Sequence, residues 1–159
     1  MKREIENYAA RLVLEVDLAE GLPNLASRAL AEGLDSSGLR ALAGANDVQR
    51  SELLPMFYQV LGELGFEIPS LRTALVRLAC ELASDILRGA IPPYQGAKGI
   101  WNLTLRASGV CVRELDPFIY AASEWEDRPS DRLLFDREIV DQAQLLVDSR
   151  SAGHVLPAD

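Results

Sequence analysis

The segment from Leu71 to Arg88 has apolar side chains on two sides of a helix, and this pattern constrains the fold more than any other part of the chain. With successive side chains turned by about 100°, the apolar residues form two stripes: Leu71, Leu75, Leu78, Leu82 and Ile86 on one side, and Val76, Cys80, Ala83 and Leu87 on the other. A helix that is apolar nearly all round is normally covered on all sides by its neighbours. Residues 71–88 are therefore predicted to form the buried central helix of the protein.

The rest of the chain repeats this helical spacing of apolar residues, with glycine and proline at the joints. Gly33 and Gly65 follow such segments and are typical of helix ends, and Pro93 suits the first turn of a helix. We find no convincing run of alternating β-branched residues, the pattern of a strand. The sequence predicts an all-α fold, a single-domain bundle of about seven to eight helices over residues 1–150. A subdivision near 65–70 is the alternative, and residues 151–159 are predicted to be a flexible tail.

Two predictions concern individual helices. The first helix is predicted from about Arg3 to Glu20, with Gly21 ending it. Gly96 and Gly99 lie on one side of a later helix, where small residues allow another backbone to approach closely. We interpret these two glycines as a packing feature rather than as a ligand-binding loop.

The charge of the chain disfavours several kinds of partner. The formal net charge is −8, with 16 Lys and Arg against 24 Asp and Glu, whereas nucleic-acid binding depends on clustered basic residues. This charge favours a basic partner, and the alternative is that the acidity serves solubility alone. The two cysteines, Cys80 and Cys111, are isolated, and the N-terminal sequence lacks the apolar core of a signal peptide. Since no apolar run approaches the ~18 residues that span a bilayer, we expect a cytoplasmic protein that binds neither nucleic acid nor membranes.

Histidine, which many common catalytic and metal sites need, is nearly missing from the sequence. His154, the only histidine, falls in the predicted tail, although Ser-His and Cys-His catalysis needs an oriented imidazole. Zinc and di-iron sites of the common helical kinds need at least two histidines. There is also no glycine-rich phosphate-binding loop. The sequence predicts a protein that is not an enzyme and that carries no cofactor or metal.

Asp85 is the carboxylate whose predicted position is most unusual. It lies within an apolar stripe of the 71–88 helix, where a charge is costly unless it has a partner. We predict a buried polar residue that accepts hydrogen bonds from Trp101, Tyr94 or an arginine. The functional alternative is an acid or metal ligand, working with Glu81 one helical turn away.

A denser group of acids surrounds aromatic residues on the next-to-last predicted helix, which begins at Asp116 and Pro117. The candidate interaction surface consists of Tyr120, Glu124, Glu126, Asp127 and Asp131. At helical spacing these carboxylates point in several directions, so a metal site would need ligands from other helices. Phe118 and Trp125 are predicted to anchor the helix in the core. The acids then form either an ordinary solvated face or an acidic contact surface with Tyr120 at its centre.

Three phrases between Leu78 and about Leu146 resemble a recurring type of small all-helical bacterial protein of unknown function. They are LASDILRG at 82–89, PYQGA at 93–97 and ASEWED at 122–127. The resemblance covers a little under half of the chain, implies a bacterial cytosolic protein, and carries no activity. In size, acidity and helical content the chain is also similar to toxin-immunity proteins.

From the sequence we therefore expect a non-catalytic, acidic protein-interaction module. An immunity or antitoxin-like factor that binds a basic partner is one form of this hypothesis. One alternative is a carboxylate-dependent enzyme of the Mg²⁺ type, and another is a structural homodimer.

Overall fold

The computed structural model describes residues 1–17 and 19–151, and all regular structure within these ranges is helical. The α-helices are α1 (Lys2–Val13), α2 (Leu22–Ala31), α3 (Ser37–Ala43), α4 (Arg50–Glu63), α5 (Leu71–Leu87), α6 (Pro93–Arg106), α7 (Asp116–Asp127) and α8 (Arg132–Ser151). Short 3₁₀ turns at Arg113–Leu115 and Pro129–Asp131 precede α7 and α8. The all-α prediction and the expected number of helices are confirmed. The predicted tail beyond residue 151, with His154, lies outside the described residues.

The chain divides into two compact units, Met1–Ala74 and a second that begins at Leu75. The division falls inside α5, shortly after the 65–70 region in which the sequence placed an alternative subdivision. The single-domain organisation stays a prediction. None of the helices within 1–17 and 19–151 has both the length and the apolar content needed to cross a bilayer.

The first unit has a core built from α1 to α4, in which α2 packs on α3 and α3 on α4. The rings of Tyr8 and Phe57 meet edge to face, with centroids 5.9 Å apart. Glu63 joins α4 to the first turn of α3: its carboxylate accepts the Gly38 N–H at 2.7 Å and the Ser37 hydroxyl at 2.8 Å. A backbone and a hydroxyl donor at the start of α3 are therefore satisfied by a side chain from α4.

Helix α1 ends at Val13, well before the predicted end at Glu20, so this boundary prediction was wrong. The helix stops because Glu15 adopts a left-handed conformation, with φ of 55°, and Val16 N–H donates back to the Arg11 carbonyl at 2.9 Å. Asp17 then accepts the Tyr8 hydroxyl at 2.9 Å. Burial and this hydrogen bond raise the pKa of Tyr8.

From Leu75 to Leu87 helix α5 is covered as its sequence predicts, because no residue there is fully exposed. Leu71, which the sequence placed in the same apolar stripe, is 41% exposed. In the second unit α6 approaches α5 closely at its two glycines. A Cβ added at Gly96 would overlap the side chain of Ile86, and one added at Gly99 would lie 3.0 Å from Leu82 Cδ1. This contact supports the interpretation of Gly96 and Gly99 as a packing feature.

Candidate interaction site

Helix α7 packs against α6 and α8, and its inner and outer faces have different environments. Phe118, Ala121 and Ala122 are buried on the inner face. On the outer face, Asp116, Tyr120 and Asp127 are exposed, and Tyr120 has 59% of its surface accessible. At about 100° per residue these three side chains project within about 40° of one another. We call Asp116, Tyr120 and Asp127 the outer stripe of α7.

Glu126 points away from the outer stripe and joins α7 to α6. Its carboxylate accepts the Lys98 ammonium at 2.7 Å and the Tyr94 hydroxyl at 2.6 Å. The hydrogen bond from Lys98, and to a smaller extent that from Tyr94, lowers the pKa of Glu126. The same two hydrogen bonds raise the pKa of Lys98 and the pKa of Tyr94. The predicted surface acid Glu126 is therefore engaged within the protein and stays ionised at neutral pH.

An aromatic stack lies beside this ion pair. The rings of Tyr94 and Trp125 are nearly parallel, with centroids 3.9 Å apart, and the Arg132 guanidinium lies 3.9 Å from the Trp125 ring centroid. A guanidinium over an indole ring is attracted by the negative charge of the ring face. Arg132 also donates to the Trp125 carbonyl at 3.2 Å. Trp125 is thus partly buried between side chains of α6 and α8, whereas Phe118 is fully buried.

Arg128, at the end of α7, neutralises two more of the predicted surface acids. It contacts Glu124 at 3.4 Å and Asp131 at 2.6 Å. Both pairs are partly exposed, so each contributes little to stability. They nevertheless reduce the negative charge that Glu124 and Asp131 present to a partner.

The predicted acidic surface therefore separates into two groups. Glu124, Glu126 and Asp131 have cationic partners within the chain. In the part of the chain that the structure describes, Asp116 and Asp127 have no ion-pair partner, and both flank the exposed Tyr120. Tyr120 and Asp127 were predicted from the sequence as surface residues, and Asp116 was not. Its position one helical turn before Tyr120 could have indicated that it shares the same face.

Asp85, predicted to be a buried polar residue, lies on α5 with 23% of its side chain exposed and is therefore only partly buried. Its carboxylate pairs with Arg88, an arginine as expected, rather than with Trp101 or Tyr94. Among residues 1–17 and 19–151, no three His, Cys, Asp or Glu side chains form a group that could hold a metal ion.

A groove lies beside the first turn of α7, against the second half of α8. It has a volume of about 370 Å³ and is lined by Glu114, Pro117, Gln142, Leu145, Leu146 and Ser149. Leu146 is buried, while Leu145 is 61% exposed. This groove was not predictable from the sequence, because its two walls are about 25 residues apart in the chain and only the packing of α7 on α8 brings them together.

Comparisons of the chain with models of protein families, with curated proteins and with solved structures find no match.

Proposed function

We propose that this protein is a non-catalytic interaction module that binds a basic protein through the outer stripe of α7. The observation that carries the proposal is the environment of Tyr120: a large aromatic side chain, 59% exposed, stands between two exposed acids that no cation within the described residues neutralises. Exposed tyrosines are frequent at the centre of protein interfaces. Unpaired acidic side chains beside an exposed tyrosine would attract a basic partner and orient it.

The charge of the whole chain supports the same partner class. A net charge of −8 repels acidic partners and nucleic acid, and accelerates encounter with a basic protein at low salt. Binding of this kind fits an immunity or antitoxin-like factor that covers a basic surface on its target. On this proposal the paired acids, Glu124, Glu126 and Asp131, hold the end of α7 in place rather than contact the partner.

The proposal is tested by affinity capture from the source cells with matched baits. Asp127→Arg reverses one charge of the outer stripe, and Tyr120→Ala removes the aromatic side chain at an exposed helical position. Glu67→Arg is the control, because it makes the same charge change at an exposed acid in the first unit. We expect the wild type and Glu67→Arg to capture the same basic protein, and the two α7 variants to capture much less.

Two further measurements complete this test. Capture should weaken as salt is raised, since exposed charges are screened over about 10 Å at 0.1 M ionic strength. A partner that binds all four baits equally, at every salt concentration, would contradict the proposal. So would sedimentation of the purified protein as a dimer that Tyr120→Ala dissociates, because the stripe would then join two copies of this chain.

A further inference from the structure

We infer that the groove beside α7 receives the apolar side of a basic amphipathic helix of the partner. This inference rests on the proposed function and names the part of the partner that is recognised. The groove adjoins the outer stripe, because Pro117 follows Asp116 and lies one helical turn from Tyr120. An occupant of the groove would therefore reach the stripe as well.

The lining of the groove fits an apolar anchor with basic residues around it. Leu145, Leu146 and Pro117 supply apolar surface, and Leu145 is 61% exposed, so an anchor there would remove a large apolar area from water. Glu114 lines the groove and Asp116 precedes the lining residue Pro117; both acids are exposed, and neither has an ion-pair partner in the described part of the chain. A Lys or Arg next to the anchor would complement them.

The segments that form the groove are acidic even when their arginines are included. Residues 113–117 and 141–150 together contain four acids and two arginines, a formal charge of −2. The occupant is expected to be helical, because the described residues include no strand whose edge could pair with an extended peptide. A helix that lays its apolar face in a groove between helices is a common mode of peptide recognition.

A defined probe tests the inference directly. It is a fluorescent peptide of about 14 leucines and lysines, ordered so that the leucines share one face of a helix. A peptide of the same composition in scrambled order keeps the charge and loses the apolar face. Leu145→Ser removes the proposed anchor contact, and Leu133→Ser is the matched control, since Leu133 lies on the same helix at 76% exposure and does not line the groove.

We expect fluorescence anisotropy to show tighter binding of the ordered peptide than of the scrambled one. Leu145→Ser should lower the affinity for the ordered peptide about tenfold, which corresponds to the free energy of burying much of one leucine side chain. Leu133→Ser should change this affinity less than about twofold. Glu114→Gln should lower the affinity for both peptides and reduce the dependence of these affinities on salt. Circular dichroism establishes that each variant is folded, which is expected because both leucines are exposed.

Equal affinities of Leu145→Ser and Leu133→Ser for the ordered peptide would overturn the inference. Self-association that Leu145→Ser abolishes would also overturn it, because a second copy of the chain would then be the occupant. The two proposals fail separately. If Leu145→Ser has no effect but Asp127→Arg still abolishes capture of the partner, the groove inference falls and the proposed function stands; if Asp127→Arg captures the partner normally, the proposed function falls.

Discussion

Replacement of Gly96 by alanine tests the close approach of α6 to α5, on which the position of Tyr94 depends. A Cβ at this position would overlap Cγ1 and Cδ1 of Ile86 and lie 3.2 Å from Ile91 Cδ1. Because Ile86 is 5% exposed, its side chain could move away only within the packed interior, at the expense of its neighbours. Overpacking of this kind costs about 1–3 kcal/mol, and alanine in a helix returns about 0.5–1 kcal/mol relative to glycine. The difference leaves an expected net loss of about 1 kcal/mol in the free energy of unfolding, and at most about 2.5 kcal/mol.

Gly99→Ala is the matched control on the same helix. Its Cβ would meet one atom closely, Cδ1 of Leu82 at 3.0 Å, at the end of a partly exposed side chain that can rotate away. We expect the free energy of unfolding of Gly99→Ala to be within about 0.5 kcal/mol of the wild-type value. The combination of Gly96→Ala with Ile86→Val, which removes Cδ1, should recover part of the loss in a double-mutant cycle.

Urea unfolding monitored by tryptophan fluorescence provides the measurement. Both tryptophans, Trp101 and Trp125, belong to the second unit, so their signal reports the part of the chain that contains the substitution. Displacement of α6 should also separate Tyr94 from Trp125 and alter the near-ultraviolet circular dichroism of the native protein. If Gly96→Ala and Gly99→Ala were equally stable and spectroscopically identical to the wild type, the close contact at Gly96 would be refuted.

Three further predictions concern residues away from that contact. Gly62→Ala, at an exposed position in the last turn of α4 with no atom near the new Cβ, should stabilise the protein by about 0.4–1 kcal/mol. Gly65→Ala should destabilise it by about 1 kcal/mol, because φ there is +72°; changes of the same sign at the two sites, measured by thermal unfolding, would contradict this pair of predictions. Hydrogen bonds from Ser36, Gln59 and Gly38 lower the pKa of Glu63 from 4.5 to about 2, so its stabilising effect is complete above pH 4.5 and is lost as pH falls through 2. The difference in unfolding midpoint between the wild type and Glu63→Gln should thus be largest at neutral pH and disappear near pH 2; a constant difference would be inconsistent with it. Glu126→Gln should lower the pKa of Tyr94, observed as an earlier rise in tyrosinate absorbance during alkaline titration, because the Glu126 hydrogen bond is the main cause of the raised pKa; an unchanged titration would exclude that bond.

Helix ends were predictable from sequence where glycine takes the left-handed position. Gly33, Gly65 and Gly89 have φ of 88°, 72° and 70°, as expected of residues without a Cβ. The end of α1 was not predictable by that rule, because Glu15 takes the same conformation at a cost. Asp17, which accepts both the Tyr8 hydroxyl and the Ala19 N–H, stabilises this turn through contacts that a periodic pattern does not contain.

The contents of the candidate site were predictable only in part, for a related reason. The phase of α7 follows from the sequence, so the exposure of Tyr120 and the burial of Phe118 could be anticipated. The partners of Glu126 could not, since Tyr94 and Lys98 lie 32 and 28 residues earlier in the chain and reach it only when α6 packs on α7. Packing of helices distant in sequence also determines the groove beside α7.

The separation of the α7 acids into paired and unpaired groups determines which substitutions inform on binding. Reversal of Glu126 would place a cation against Lys98 and remove a contact between α6 and α7, so a loss of binding would not distinguish a missing partner contact from a disturbed helix. Asp127 has no such role, because no cation contacts it within the described residues and it lies in the last turn of α7, where a basic residue is favourable toward the helix dipole. Asp127→Arg should therefore preserve or slightly raise the stability of α7 while it reverses the charge of the outer stripe. Loss of binding in that variant, without loss of stability, would show that the outer stripe contacts the partner directly.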